Sequence, residues 1–197
     1  MTQTRQTEHD IDALFADRWS PRAYTGEAIP EATLLRLLEA ARWAPSASNI
    51  QPWRFIYARR DTPAWAPLFD SLVEFNRGWA VNAAALVLVL SRKTWLPHGK
   101  TEPVANPTHS FDAGAAWMSL ALQAYLAGWP AHGMGGFDKD KARAALGVPA
   151  DHVLEAMVAI GRQGDKASLP EALQAREVPS ARLPLAQIVA EGRFTFE

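Results

Sequence analysis

Ala44-Pro45-Ser46-Ala47-Ser48-Asn49-Ile50-Gln51-Pro52-Trp53 places two hydroxyls, two amides and two prolines within ten positions. Each amide side chain offers both a donor and an acceptor, so Asn49 and Gln51 could read the edge of a heteroaromatic ring. Read alone, the stretch is also a capped loop whose polar side chains satisfy their own backbone. Upstream, Arg18-Trp19-Ser20-Pro21-Arg22 sets two guanidinium groups about a turn. Such forks suit phosphate oxygens, although the spacing equally fits a solvated surface loop. Downstream, Gly133-Met134-Gly135-Gly136 puts three glycines in four positions, which bares backbone N–H groups and admits a ligand closely. The tail adds Arg162, Lys166, Arg176 and Arg182 among prolines.

Several elements must hold these groups. Asp10 to Phe15 reads as a short helix. Glu31 to Trp43 is the clearest one: Leu34, Leu37, Leu38 and Ala41 recur at helical spacing, with Pro30 at its start and Pro45 just beyond its end. Trp53 to Ala58 alternates Trp53, Phe55 and Tyr57 on one face, a strand signal. Asp61 to Phe75 reads as a helix after Pro63, its start delayed by Pro67. Ala83 to Leu90 is a continuous apolar run that fits a strand buried on both faces. Arg92 to Thr108 holds three prolines, a glycine and no periodicity, and reads as a mobile lid or entrance loop. Ser110 to Gly128 forms a second long helix, in which Ala113-Gly114-Ala115-Ala116 would let another backbone pack close. Gly128 to Phe137 reads as a glycine-rich turn. Asp138 then caps a helix ending at Gly147, and His152 to Ile160 is a further strand. The expectation is one domain over 1–197, with a C-terminal arm over 161–197 that packs along a surface.

Composition narrows the chemistry. The 197 residues carry a formal net charge of -1, which gives no global electrostatic case for nucleic acid. There is no cysteine, which removes disulfides, thiolate chemistry and cysteine-ligated metals and fits a reducing cytoplasm. The polar Met1 to Asp10 lacks the apolar core of a signal peptide, and the apolar run at Ala83 is too short to span a bilayer. Eight tryptophans supply core volume and aromatic faces for planar ligands. His98, His109 and Asp112 match no recognised metal-ligand spacing, so no metal is expected. His132-Gly133-Met134-Gly135-Gly136 is similar to an oxyanion-hole loop, yet the Gly-x-Ser-x-Gly of a nucleophile elbow is missing. Neither a nucleoside-triphosphate loop nor a Gly-x-Gly-x-x-Gly after an early strand is present. What remains is cations for a phosphate, amides for a ring edge and backbone N–H groups for a ring nitrogen. Those are the needs of flavin mononucleotide (FMN).

The order of these motifs resembles the nitroreductase family of FMN-dependent oxidoreductases, from about Ile11 to Val189. Arg18-Trp19-Ser20-Pro21-Arg22 resembles its Arg-x-Ser-x-Arg/Lys element. Ala44 to Trp53 resembles its Ala-Pro-Ser-x-x-Asn-x-Gln-Pro-Trp element, the most specific of the set. Gly135-Gly136-Phe137-Asp138 is similar to the segment that presents a backbone donor to the flavin, and Ser180-Ala181-Arg182-Leu183-Pro184 to its basic tail.

The resemblance implies an α+β fold with a central, mainly antiparallel sheet flanked by helices. It also implies an intertwined homodimer built on the Ser110 to Gly128 helix, with the site between subunits. Arg18, Ser20, Arg22 and Arg182 would hold the phosphate side of FMN, and Asn49 and Gln51 the ring edge and ribityl chain. Pro45 and Ser46 would approach from the partner subunit, and Gly135, with Gly136 beside it, would direct an N–H at the reactive ring nitrogen. NADH or NADPH would reduce the flavin, and a small electron-poor acceptor such as a nitroaromatic or quinone would reoxidise it. The flavin carries the chemistry, so no side chain is named as acid or base. Three departures stand out. Gly135 occupies a position where many relatives carry an acid, and Ser180 one where some carry lysine. Trp79 follows Asn76 where relatives have a lysine, which removes a cation beside the reduced flavin and leaves a tryptophan to stack on substrate or fill the core. Reductive dehalogenation, flavin cleavage, a non-catalytic flavin-binding module and a serine hydrolase on the His132 loop are the alternatives.

Overall fold

The computed structural model describes residues 5–196; residues 1–4 and 197 of the expected domain lie outside the described residues. Its centre is a four-stranded antiparallel sheet in the order β1-β2-β6-β5, formed by Trp53–Arg59, Ala85–Arg92, His152–Ile160 and Ala131–Met134. The apolar run forms β2, which pairs with β1 and β6 on its two sides. Alternation along β2 then builds a core on each face. Ala85, Val87 and Val89 pack with Leu34 and Leu37 of α2 (Glu31–Arg42) and Ala116 and Leu120 of α5 (His109–Leu126). Leu86, Leu88 and Leu90 pack with Leu68 of α3 (Trp65–Phe69), Trp79 of α4 (Glu74–Ala80) and Ala142 of α6 (Lys139–Leu146). Burial of each valine or leucine among them contributes about 1.5–3 kcal/mol.

Local signals explain most element ends. Pro30 accepts the first helical N–H groups of α2, from Thr33 and Leu34. Asp138 caps α6 by accepting the Lys141 N–H at 2.9 Å, and Gly147 ends it at φ 63°. The short first helix, α1, runs over Ala13–Asp17 rather than from Asp10, because the Asp12 carboxylate caps it.

Three expectations need correction. The helix expected over Asp61 to Phe75 is only α3, followed by a break and then α4. Across the break Leu72 bridges Phe137, and the Val73 N–H donates to Gly136 O at 3.2 Å, so tertiary pairing draws this segment out of the helix. The glycine-rich turn expected from Gly128 to Phe137 contains strand β5, paired with β6 from Ala131↔Ile160 to Met134↔Met157. Gly133 fits there because the Trp117 ring covers it; a Cβ would lie 3.2 Å from Trp117 Cζ2. The Arg92 to Thr108 segment holds a small ribbon, β3 (Thr94–Trp95) against β4 (Val104–Ala105), pinned by the Lys93 N–H on Asp151 O at 2.8 Å.

The outward side of α5 is also apolar: Phe111 is 83% exposed and Leu126 65%. In the arm, Leu183, Ile188, Val189 and Phe194 are exposed as well. Among the described residues no helix is long and apolar enough to cross a membrane.

Candidate functional site

Arg18, Ser20 and Arg22 lie on the chain that leaves α1, and two buried groups shape it. Glu177 Oε1 accepts the N–H groups of Arg22 at 2.7 Å and Ala23 at 2.9 Å, and Glu177 Oε2 lies 3.9 Å from Arg22 Nη1. His132, on β5, bonds Pro21 O through Nδ1 at 3.1 Å. A carbonyl only accepts, so Nδ1 carries a proton. Burial first, and then the Arg22 charge, push the His132 pKa down to about 4. Trp79 supports the ring from behind at a centroid distance of 4.8 Å. Being 1% exposed, Trp79 is a core residue and not a platform for substrate.

The result is a cavity of about 300 Å³ lined by Arg5, Arg18, Arg22, Arg176, Arg182 and Ser20. Arg18 donates to Ser20 Oγ at 3.4 Å, and Arg182 turns onto Ser180 Oγ at 3.0 Å. Arg22 pairs with Glu177, whereas Arg5, Arg18, Arg176 and Arg182 form no ion pair among the described residues. The Nε atoms of Arg5, Arg18 and Arg22 are buried with no hydrogen-bond partner among the described residues. Burial, then Arg5 and Arg182, disfavour the charged form of Arg18. Unsatisfied donors and mutually repelling guanidinium groups fit an anionic occupant, and a phosphate monoester is one such group.

The amide stretch forms a tight turn before β1. Ser48, Asn49 and Gln51 all take left-handed backbone, at φ 49°, 53° and 51°. Each such non-glycine residue costs on the order of 1 kcal/mol or more, and clusters of this kind mark ligand sites. The self-satisfied loop is partly realised: the Gln51 N–H donates to Ser46 Oγ at 3.0 Å, and Gln51 Nε2 to Asn49 Oδ1 at 3.1 Å. Buried Asp112 braces the turn from α5, its Oδ2 accepting the Ala47 N–H at 3.4 Å and the Thr108 hydroxyl at 3.0 Å. Pro45, Asn49 and Gln51 remain exposed.

The glycine edge follows Met134, the last paired residue of β5. A Cβ on Gly135 would meet nothing within 4 Å, so its backbone is open to a ligand. A Cβ on Gly136 would lie 2.7 Å from Asn76 Nδ2 and 3.1 Å from Val73 Cγ2. Gly136 O accepts the Asn76 amide at 2.9 Å. Gly136→Ala should therefore destabilise the fold by about 1–3 kcal/mol through overpacking, while Gly135→Ala leaves stability near wild type. Urea unfolding of the two variants checks this pair.

Arg18, Ser20, Arg22 and Arg182 thus converge on one cavity, whereas Gly135 and Gly136 sit at the end of β5. The start of β1 and the end of β5 point to the same end of the sheet, but they lie three inter-strand steps apart, about 14 Å across the strands alone. In addition, β5 stops at Met157 of β6, short of Val153, which is level with Trp53. Pro45, Ser46, Asn49 and Gln51 are on that far edge, so one protomer does not bring them into the arginine cavity. Sequence reasoning missed Glu177 and the bracing roles of Asp112 and His132, since their partners are remote in the chain. Of the histidine candidates, His109 instead contacts Ser91 Oγ at 2.7 Å.

Comparison with known proteins agrees with this picture. The profile described as Nitroreductase family matches residues 15–74 and 64–162. A Thermus thermophilus protein named NADH dehydrogenase is 31% identical over 209 positions, covering 91% of this chain and 95% of its own. A 5,6-dimethylbenzimidazole synthase of Rhodospirillum rubrum is 26% identical, covering 82% and 85%. Among solved structures, an oxidoreductase containing FMN superposes with a TM-score of 0.95 at 52% identity, covering all of both chains. The FMN complex of a Desulfovibrio desulfuricans nitroreductase relative gives 0.71 at 27% identity, covering 96% of this chain and 100% of that one. With its antiparallel sheet, flanking helices and arginine-lined cavity, the chain has the nitroreductase fold and belongs to the nitroreductase family.

Proposed function

We propose that the chain is an FMN-dependent oxidoreductase that uses NADH or NADPH to reduce small electron-poor acceptors such as nitroaromatics or quinones, the two substrates taking turns at one site. The observation that carries this reading is the arginine cavity, with buried Nε atoms that lack a partner among the described residues. The FMN in the two solved relatives supports it. When bound, FMN supplies the hydride and electron chemistry. Arg18, Arg22 and Arg182, with Ser20, hold its phosphate side. The Gly135 N–H, with Gly136 beside it, is directed at the reactive ring nitrogen, and Asn49 and Gln51 reach a ring edge and ribityl chain only across a subunit boundary, because the amide turn lies on the far edge of the sheet.

We also propose a homodimer, in which Pro45 and Ser46 serve the partner's flavin. Its support is the exposed apolar side of α5 and the placing of the amide turn and the glycine edge on opposite edge strands, about 14 Å apart across the strands alone. A helix apolar all round needs a second covering surface. The lack of cysteine supports a cytoplasmic setting.

The purified protein should show flavin absorption bands that bleach anaerobically with NADH or NADPH and return on adding a quinone. It should also sediment as a dimer at micromolar concentration. A colourless protein that cannot be loaded with FMN would overturn the reading, and a monomer that retains FMN would overturn the intersubunit site. A second reading is the flavin cleavage that the family resemblance implies, and a relative named as a synthase rather than a reductase favours weighing it. Aerobic loss of FMN without return of its bands would favour that one.

A further inference from the structure

The arginine cavity holds more cation than the Arg18–Arg22 loop and Arg182 supply. Arg5 lines it from the segment before α1. Its Nη1 donates to Ala16 O and to Arg18 O, both at 2.9 Å, which fastens the guanidinium across the C-terminal end of α1. Its Nε is buried with no partner among the described residues. Arg182 enters from the arm, and the two chain segments meet beside the cavity, where the Leu185 N–H donates to Glu8 Oε1 at 2.8 Å. Burial and then the Arg182 charge disfavour charge on Arg5, and Asp17 only partly offsets them. Two guanidinium groups, one from each segment, are therefore held together over donors that lack acceptors among the described residues.

We propose that Arg5 is a further phosphate-binding residue, and that a phosphate monoester draws residues 5–12 and 179–188 together over the arginine cavity. The ligand class is a dianionic phosphate, whether carried by a flavin or free. The proposal rests on the FMN reading for its natural ligand, but what it demands is the phosphate and not the ring. Closure of the chain ends then reports whether the bound flavin is phosphorylated.

Hydrogen exchange of the full chain, alone and with FMN, riboflavin or inorganic phosphate, tests it. FMN should slow exchange in 5–12 and 179–188 at least about tenfold, inorganic phosphate should slow the same amides at high concentration, and saturating riboflavin should leave them unchanged. Arg5→Ala should lower the ratio of FMN to riboflavin affinity about tenfold, with Arg5→Lys between it and wild type. Because a loosened α1 would misplace Arg18 and lower the ratio too, exchange of residues 13–18 in apo Arg5→Ala should stay at the wild-type rate, and faster exchange there makes Arg5 a brace and overturns its phosphate role. Equal protection of the ends by riboflavin, or an unchanged ratio in Arg5→Ala, overturns the clamp and leaves the flavin site standing. Protection by inorganic phosphate in a protein that binds neither flavin would support the clamp and remove the FMN reading.

Discussion

Glu177→Ala is expected to destabilise the protein by about 3–5 kcal/mol and to abolish retention of FMN, although Glu177 needs no contact with the flavin to do so. Its side chain is 2% exposed, and one carboxylate oxygen accepts the N–H groups of both Arg22 and Ala23. Removing it strands two buried donors and leaves Arg22 without its acid. The loop that aims Arg18, Ser20 and Arg22 would then lose its brace. Glu177→Gln separates acceptor geometry from charge. Its amide oxygen can still take both N–H groups, while its NH2 would replace the oxygen that lies 3.9 Å from Arg22 Nη1. The glutamine variant should therefore keep the loop and lose only about 1–2 kcal/mol. Urea unfolding at constant m-value, read beside the flavin-to-protein absorbance ratio, checks the pair. If both variants lose the same stability, the charge and not the acceptor is what braces the loop.

How far the sequence reached follows from which contacts are local. α2, β2 and α5 were legible because each carries its own periodicity and its own stop: Pro30 and Pro45 about α2, an unbroken apolar run in β2, and Gly128 after α5. β5 was not, because Gly133, Gly135 and Gly136 erase the side-chain alternation that marks a strand. What makes it one is pairing with β6, more than twenty positions away. The break between α3 and α4 has the same cause, since Val73 is satisfied by Gly136, some sixty positions on.

The site divides likewise. Arg18, Ser20 and Arg22 could be named from a short motif, and Arg182 from the resemblance. Glu177 could not, because an acid in an aperiodic tail carries no local mark of the loop it will hold. Trp79 was ambiguous in sequence between substrate platform and core, and contact with Tyr24 and His132 in the core decides it. The turn at Asn49 and Gln51 shows a subtler limit. Its polar residues were visible, but not the three left-handed backbones that set it apart from an ordinary capped loop. Asp112 bracing Ala47 gives that strain a counterweight from α5.

Arg18→Ala should lower FMN affinity about 10- to 100-fold, the loss of one charge-assisted contact of about 1.5–3 kcal/mol to a phosphate. Affinity for riboflavin should change far less. The apo protein should respond in the opposite sense. Arg18 shares the cavity with Arg5 and Arg182, its Nε is buried with no partner among the described residues, and its bond to Ser20 is long at 3.4 Å. Alanine removes that repulsion and that orphan donor at the expense of one weak hydrogen bond, so the apo variant should unfold at the wild-type temperature or above it. A residue that costs stability in the empty site and returns it when the ligand binds is one held there for binding. Thermal unfolding of the apo forms, with FMN and riboflavin titrations, separates this from a structural role. A lower unfolding temperature with FMN affinity intact would make Arg18 a scaffold residue and move the phosphate elsewhere in the arginine cavity.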